Sequence, residues 1–287
     1  MSTSRTASRD DRSPASSTGL AARMVVPGRA YDLSVIIPTR NEAGNIRPLL
    51  DRLGDALSGI AAEVLVVDDS DDVTPDIVRQ IAARSALPIR MHVRPPGQRP
   101  GGLGGAVLAG LAETLGPLCV VMDADLQHPP ELLGTLLNAA RPGADFVIAS
   151  RYANGGAGDG LGGWYRQTVS TLATRFAKAL LRPELAGISD PMSGFFLVRR
   201  SCLDVSALHP RGFKLLLELL VHNPRASVTE VPYTFGVRHA GASKAGLSEG
   251  LTYLGRLAEL RVQARRAPRR PRRVFISSTP ANRARRG

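Results

Sequence analysis

The chain has little cysteine and no long apolar run, and each shortage narrows what it can be. Two cysteines in 287 residues cannot build a disulfide scaffold. Cys119 sits inside an apolar run and Cys202 lies far away in sequence, which fits a reducing compartment. No window reaches the roughly 18 consecutive apolar residues that a bilayer-spanning helix needs. The N-terminus also lacks the apolar h-region, about 7–15 residues, of a secretory signal. The expectation is a cytoplasmic protein.

Acids are missing from the C-terminal end, where residues 261–287 hold ten Arg and no Asp or Glu, net +10. Residues 1–30 hold five Arg and two Asp, net +3, and the whole chain is +12, which leaves 31–260 at −1. The sequence pI of about 10.8 therefore belongs to the two ends. The central part gives no general case for binding nucleic acid, and no nucleic-acid partner is expected. Residues 1–30, rich in Ser, Arg and Thr, read as a disordered basic leader, and 261–287 as an Arg/Pro-rich disordered tail. Between them, 31–260 has room for one sizeable core, consistent with 43% hydrophobic residues overall.

Short apolar runs alternate with helical patterns through that central part. Leu33–Ile37 reads as a strand stopped by Pro38, and Thr39-Arg40-Asn41-Glu42 as the loop that starts a helix through about Leu57. Further strands are expected at Glu63–Val67, Ile89–Val93, Leu118–Met122, Asp145–Ala149, Phe195–Val198 and Ser227–Phe235. Helices are expected from Thr74, over Trp164–Leu181 and Gly212–His222, and from Leu247 onward. This alternation predicts an α/β fold, with a mostly parallel central sheet and helices on both faces.

The stretch that carries most chemistry is LCVVMDADLQHPPE, Leu118 to Glu131. A buried strand there delivers Asp123 and Asp125 to its C-terminal end, where open α/β sheets bind ligands. Side chains alternate along a strand, so both carboxylates face one side and can share one cation. Solvated turn acids are the plainer alternative. The glycine-rich run from Arg94 to Ala106 could cradle a phosphate at a helix N-terminus. A dinucleotide fingerprint belongs in the first βα turn, however, and this run follows the third strand. Acids at the ends of strands one, two and four (Glu42, Asp69, Asp123, Asp125), with Arg151, Arg238 and Lys244 after later strands, compose a site for a cation and a nucleotide diphosphate.

Six ordered segments, VIIPTRNE, VVDDSDD, MDADLQHPPE, ASRY, DPMSGFFLVRR and VPYTFGVRHAGASK, resemble the motifs of glycosyltransferase family 2. The resemblance is closest to the dolichyl- and polyprenyl-phosphate mannosyltransferases, and it covers about residues 32–260. It implies a GT-A (Rossmann-like) catalytic domain that transfers mannose from GDP-mannose to a polyprenyl phosphate lipid, with inversion and with Mg2+ or Mn2+. By the same resemblance Pro38, Arg40 and Glu42 line the nucleotide pocket, and Val67 and Asp69 meet base and ribose. Asp123, Ala124, Asp125 and Gln127 hold metal and diphosphate. Arg151 stands near the reacting phosphates and sugar and, with Arg166, meets the acceptor phosphate, while Arg238 and Lys244 clamp the donor diphosphate from a mobile loop. Asp125, Arg151, Arg238 and Lys244 are the implied catalytic residues. The family often has Tyr where this chain has Arg40, which leaves the nucleobase open.

A lipid acceptor without a spanning helix implies peripheral contact with the cytoplasmic membrane face. The helices at 164–181 and 247–263 and the Arg-rich segment from Arg265 to Arg273 are the candidates, and room remains for a separate membrane partner protein. His128 and His239 flank the motifs and read as structural. Three rivals stay open: a family 2 transferase of another sugar, such as glucose from UDP-glucose, a phosphatase using the first Asp of the D-x-D as nucleophile, and a nucleic-acid binder working through the Arg tail. Gln127 at the fifth motif position and the motif's place on the fourth strand count against the phosphatase.

Overall fold

Leu33, Val35, Ile36 and Ile37 leave no solvent-facing side on Leu33–Thr39 (β1), and every residue of the strand is buried. That is the signature of a central strand covered on both faces. The structure, a computed structural model, describes residues 31–154, 156, 174–204, 208, 214–236, 247–264 and 272–276. In chain order β1 is followed by Ala43–Ala56 (α1), Ala62–Asp68 (β2), Thr74–Ala82 (α2), Ile89–Val93 (β3), Gly102–Glu113 (α3) and Leu118–Val121 (β4). Then come Leu133–Ala140 (α4), Phe146–Ser150 (β5), a helix over 174–180 (α5) and Phe196–Arg199 (β6). Leu215–His222 (α6), Val228–Pro232 (β7), Leu247–Ala264 (α7) and Val274–Ile276 (β8) complete it.

The sheet order is β3-β2-β1-β4-β6-β5-β7-β8. All neighbours run parallel except β6, which is antiparallel to both β4 and β5. The period-2 alternation of β1 splits the core between the two faces. Val35 and Ile37 pack with Leu49, Leu53 and Leu136, whereas Ile36 packs with Val67, Val107 and Leu111 on the other face. The carboxyl ends of β1, β2, β4, β5 and β7 consequently share one edge. Because β6 runs the other way, the chain entering it also arrives at that edge.

Three expectations need correction. Pro38 does not stop the first strand; it lies within β1, opposite Val67 of β2. Pairing of β1 with β4 ends at Ile36 and Val121, with one further bond from Met122 N–H to the Ile36 carbonyl. A proline is tolerated where its missing N–H faces a side on which the ladder has ended. Second, the helix expected over 247–263 is found as α7, Leu247–Ala264, and so crosses the boundary drawn at 260 between the central part and the tail. Third, the segment assigned to a disordered tail contains β8, which pairs parallel with β7, with Val228 N–H bonded to the Arg273 carbonyl at 2.9 Å. Averaging composition over the Arg-rich end hid three consecutive strand-forming residues, Val274, Phe275 and Ile276.

Among the described residues, no helix is long and apolar enough to cross a membrane. The most apolar one, α6, is buried from Leu215 to Val221. Its Glu218 receives Arg256 of α7 through two hydrogen bonds of 3.0 and 2.7 Å, which docks α7 upon it.

Candidate active site at the carboxyl edge

The acids after β2 are held by the protein's own groups. Asp68, fully buried, accepts from Thr39 Oγ1 at 2.6 Å and from Ser70 Oγ at 2.7 Å, tying the ends of β1 and β2 together. Asp69 accepts from Arg94 on both oxygens, with Nε to Oδ1 at 2.7 Å and Nη2 to Oδ2. Asp71 pairs with Arg99 at 2.9 Å, and Asp72 accepts the Thr74 N–H at the start of α2. Four successive acids therefore have four structural uses.

Those arginines explain the glycine-rich run between β3 and α3. Arg94 donates to the carbonyls of Pro100 and Gly102, and Arg99 to those of Arg94 and Ser70. A Cβ on Gly105 would lie 1.9 Å from the Pro100 carbonyl oxygen, so only glycine lets the loop close on Arg94. The run that offered itself as a phosphate cradle turns carbonyls toward a guanidinium.

The end of β4 is arranged differently. Leu126 takes a left-handed turn at φ 64, and the Gln127 N–H comes back to Asp125 Oδ1 at 3.1 Å. Asp125 and Gln127 are buried, while the Asp123 side chain keeps 38% exposure. Gln127 joins this turn to the end of β7, accepting the Gly236 N–H on its carbonyl and donating Nε2 to the Gly236 carbonyl at 3.1 Å. Two hard oxygen acids at a strand end, with an amide beside them, form a donor set suited to a hard divalent cation. Among the described residues no group of three or more His, Cys, Asp or Glu could hold a metal. A two-carboxylate set matches a cation that arrives with phosphate oxygens and takes its remaining ligands from them.

His128 supports this turn without offering chemistry. It is 2% exposed, stacked on Phe195 at 5.1 Å and edge-on to Tyr233 and Phe235. Burial pulls its pKa down to about 4, against the raising effect of Asp125, so it is neutral at physiological pH. Its Nδ1 accepts the Asp123 N–H at 3.0 Å, and the 3.8 Å approach to Asp123 Oδ2 is accordingly not an ion pair there. The structural reading of His128 fits this geometry.

Arg151, at the end of β5, binds Asp190 through Nε at 2.8 Å and Nη2 at 2.9 Å. Asp190 is fully buried, and the Arg151 side chain is 9% exposed and lies 5.6 Å from the Phe235 ring centroid. Burial lowers the guanidinium pKa, but the hydrogen bonds and charge of Asp190 outweigh it and hold Arg151 above its ordinary value. Glu230 of β7 receives the Ser189 and Asp190 N–H groups at 2.9–3.1 Å. Burial raises the Glu230 pKa despite these bonds. Near the same approach to β6, Gly194 passes so close that a Cβ would sit 3.1 Å from His128 Cε1 and 3.2 Å from Asp123 Oδ2.

The expected site residues thus gather along one edge. Pro38 and Val67 are buried at the ends of β1 and β2, Arg40 is exposed, and the Glu42 N–H meets Thr74 Oγ1 at 3.0 Å. Asp69, Asp123, Ala124, Asp125, Gln127 and Arg151 complete the described set, whereas Arg166, Arg238, Lys244 and His239 lie outside the described residues. Sequence reasoning gave no role to Arg94, Asp190 or Gly194. The D-P-M-S-G segment was visible, but its place beside Asp123 follows from the antiparallel β6.

Residues 34–205 match the family described as Glycosyl transferase family 2. The dolichol-phosphate mannosyltransferase of Pyrococcus furiosus is 40% identical over 74% of this chain, which spans 58% of that relative's length. The enzyme of the same name from Saccharomyces cerevisiae is 38% identical over 81% of this chain and 88% of its own. The polyprenol monophosphomannose synthase of Mycolicibacterium smegmatis is 36% identical, covering 80% and 87%. Glucosyl-3-phosphoglycerate synthase from Mycobacterium tuberculosis, solved with Mn2+, UDP-glucose and phosphoglyceric acid, has a TM-score of 0.59 at 25% identity, covering 83% and 81%.

Two outcomes are expected from these contacts. Asp190→Ala strands the Arg151 guanidinium in a buried position and should lower unfolding free energy by about 3–5 kcal/mol in urea titrations. His128, with a folded pKa of about 4 against 6.5 unfolded, contributes stability that is present above pH 6.5 and lost as pH falls toward 4. His128→Asn should flatten the loss between pH 6.5 and 4, read by the same titrations; an unchanged slope would assign that loss to other groups.

Proposed function

Because the chain belongs to glycosyl transferase family 2 and is a glycosyltransferase of GT-A fold, we propose that it transfers mannose from GDP-mannose to a polyprenyl phosphate. The observation that carries this is the pairing of the Asp123–Asp125 turn with relatives whose names specify mannosyl transfer to dolichol or polyprenol phosphate. The family shares a nucleotide-sugar donor site, so the acceptor and sugar are read from those relatives and the site from this chain.

Asp123 and Asp125, with Gln127 beside them, would hold a divalent cation, Mg2+ or Mn2+, which neutralises the charge that collects on the departing diphosphate. Arg238 and Lys244 bind phosphate oxygens of the same leaving group. Pro38, Arg40, Glu42 and Val67 border the nucleoside, and Asp69, fixed by Arg94, faces the ribose. The acceptor phosphate oxygen attacks the anomeric carbon, the bond from that carbon to the diphosphate oxygen breaks, and its electron pair leaves with GDP, inverting the centre. A phosphate monoester with a second pKa of about 6 is already ionised at neutral pH and needs no general base. A neutral His128, engaged through Nδ1 and enclosed by aromatic rings, suits that requirement.

Arg151 contributes by position. Its forked bond to Asp190 ties the end of β5 to the residues that lead into β6, and Arg166 takes the acceptor phosphate directly. The acceptor is a membrane lipid, so the protein works from the cytoplasmic membrane face through peripheral contact, alone or with a membrane partner protein.

The test is transfer of labelled sugar to polyprenyl phosphate from GDP-mannose, run beside UDP-glucose, with Mg2+ or Mn2+. Lipid-linked mannose from GDP-mannose alone is expected, reduced about 10²–10³-fold in Asp125→Ala, the scale for removing one group that stabilises the transition-state charge. Lipid-linked glucose would overturn the donor and keep the reaction type.

A further inference from the structure

Glu230, in the middle of β7, is a fully buried carboxylate, and among the described residues its partners are all neutral donors. The Ser189 N–H lies 3.0 Å from Oε1 and 2.9 Å from Oε2. The Ser189 hydroxyl donates to Oε1 at 2.9 Å and the Asp190 N–H at 3.1 Å. Burying a charge without a counterion is costly, and burial raises this carboxyl's pKa. A neutral side chain of the same size would avoid that cost, so the charge answers to something other than stability.

The Ser189 hydroxyl leads on to the end of β5. Ser189 Oγ lies 2.5 Å from Ser150 Oγ, and Ser150 Oγ accepts the Tyr152 and Ala153 N–H groups at 3.2 and 3.0 Å. An ionised carboxylate accepts and never donates, so it fixes the direction of every bond in this chain. Ser189 gives its proton to Glu230, Ser150 gives its own to Ser189, and the Ser150 lone pairs are left for the two amides. Arg151 sits between Ser150 and Tyr152, with its N–H on Asp190 Oδ2 at 3.1 Å and its guanidinium on both Asp190 oxygens. Glu230 therefore holds both partners of that pair, Asp190 by its amide and Arg151 by the backbone on either side of it.

We propose that Glu230 is a positioning residue for the transfer: its carboxylate orders the Ser189–Ser150 hydroxyl chain and the Asp190 amide, and so sets where the Arg151–Asp190 pair stands. Glu230 itself touches no substrate. The proposal rests on the reading of Arg151 as standing near the reacting phosphates and sugar. The acids on the nucleotide side have supports of their own, Asp69 in Arg94 and Asp125 in the turn at Leu126, so Glu230 should govern the rate and leave donor binding alone.

Glu230→Gln keeps the volume and replaces one acceptor oxygen by a donor. In mannosyl transfer from GDP-mannose to polyprenyl phosphate its kcat should fall about 10²-fold, the scale for a displacement of about 1 Å at a reacting group. KM for GDP-mannose and the affinity for GDP with Mn2+ should stay at wild-type values. Hydrogen exchange read by mass spectrometry should quicken at the amides of Tyr152, Ala153, Ser189 and Asp190. Unchanged exchange there, or a loss of donor affinity as large as the loss of kcat, overturns the proposal. Ser189→Ala cuts the hydroxyl chain and leaves the carboxylate, and should lower kcat by a smaller factor; if Glu230→Gln does not fold, unchanged kcat in Ser189→Ala overturns the proposal. Arg151→Lys, whose ammonium cannot make the forked bond, is assayed alongside. Loss of transfer in Arg151→Lys, with wild-type transfer in the other two variants, overturns the role of Glu230 alone. Wild-type transfer by Arg151→Lys overturns the reading of Arg151 and the proposal with it.

Discussion

A buried, forked ion pair between Arg151 and Asp190 joins the two sides of the sheet's carboxyl edge. Arg151 belongs to the end of β5, and Asp190 to the chain that enters β6 from the opposite direction. Replacing such a pair by apolar residues often costs little, whereas breaking it costs a great deal, so its value here lies in geometry. With Asp190 fixed, Glu230 collects the Ser189 and Asp190 amides, Gly194 passes close to Asp123 and His128, and Phe235 lies against Arg151. The Asp123–Asp125 turn is thereby braced from β6 and, through Gln127 and Gly236, from β7.

The same economy of charge governs the other end of the edge. A sheet that gathers carboxylates at one rim must neutralise or solvate each of them. Asp68 is absorbed by hydroxyls, Asp69 by Arg94 and Asp71 by Arg99, and the glycine-rich loop exists in a form that lets Arg94 reach its carbonyls. On the opposite rim Glu63 is equally buried and equally committed, to Ser34 at 2.7 Å and Arg90 at 2.9 Å. A buried acid is thus no indicator of chemistry by itself. What distinguishes Asp123 and Asp125 is a partly exposed carboxylate beside a buried one, presented by a left-handed turn.

Much of this was legible in the residues. Unbroken apolar runs located the strands, because parallel strands covered on both faces show no polar alternation. The D-x-D was placed at the carboxyl end of a buried strand, and there it lies, just past β4. Pairing direction was not legible: Phe196–Arg199 reads the same whichever way it runs, and its reversal is what brings Asp190 and Gly194 to Asp123. Nor was β8, since three strand-forming residues in an Arg-rich background gain their meaning only from the open side of β7. The destination of Arg94 was hidden too, because a glycine-rich loop serves a phosphate or a guanidinium according to whether amides or carbonyls turn inward.

The central claim is that Asp123 and Asp125 hold a cation jointly with a nucleotide diphosphate. Calorimetric titration with Mn2+, in the absence and presence of GDP, tests it most directly. Two protein carboxylates alone should bind Mn2+ weakly, and GDP should tighten binding more than additively in wild type while leaving Asp125→Ala unresponsive. Mn2+ affinity that is the same with and without GDP, or a GDP-dependent gain that survives in Asp125→Ala, would contradict the account.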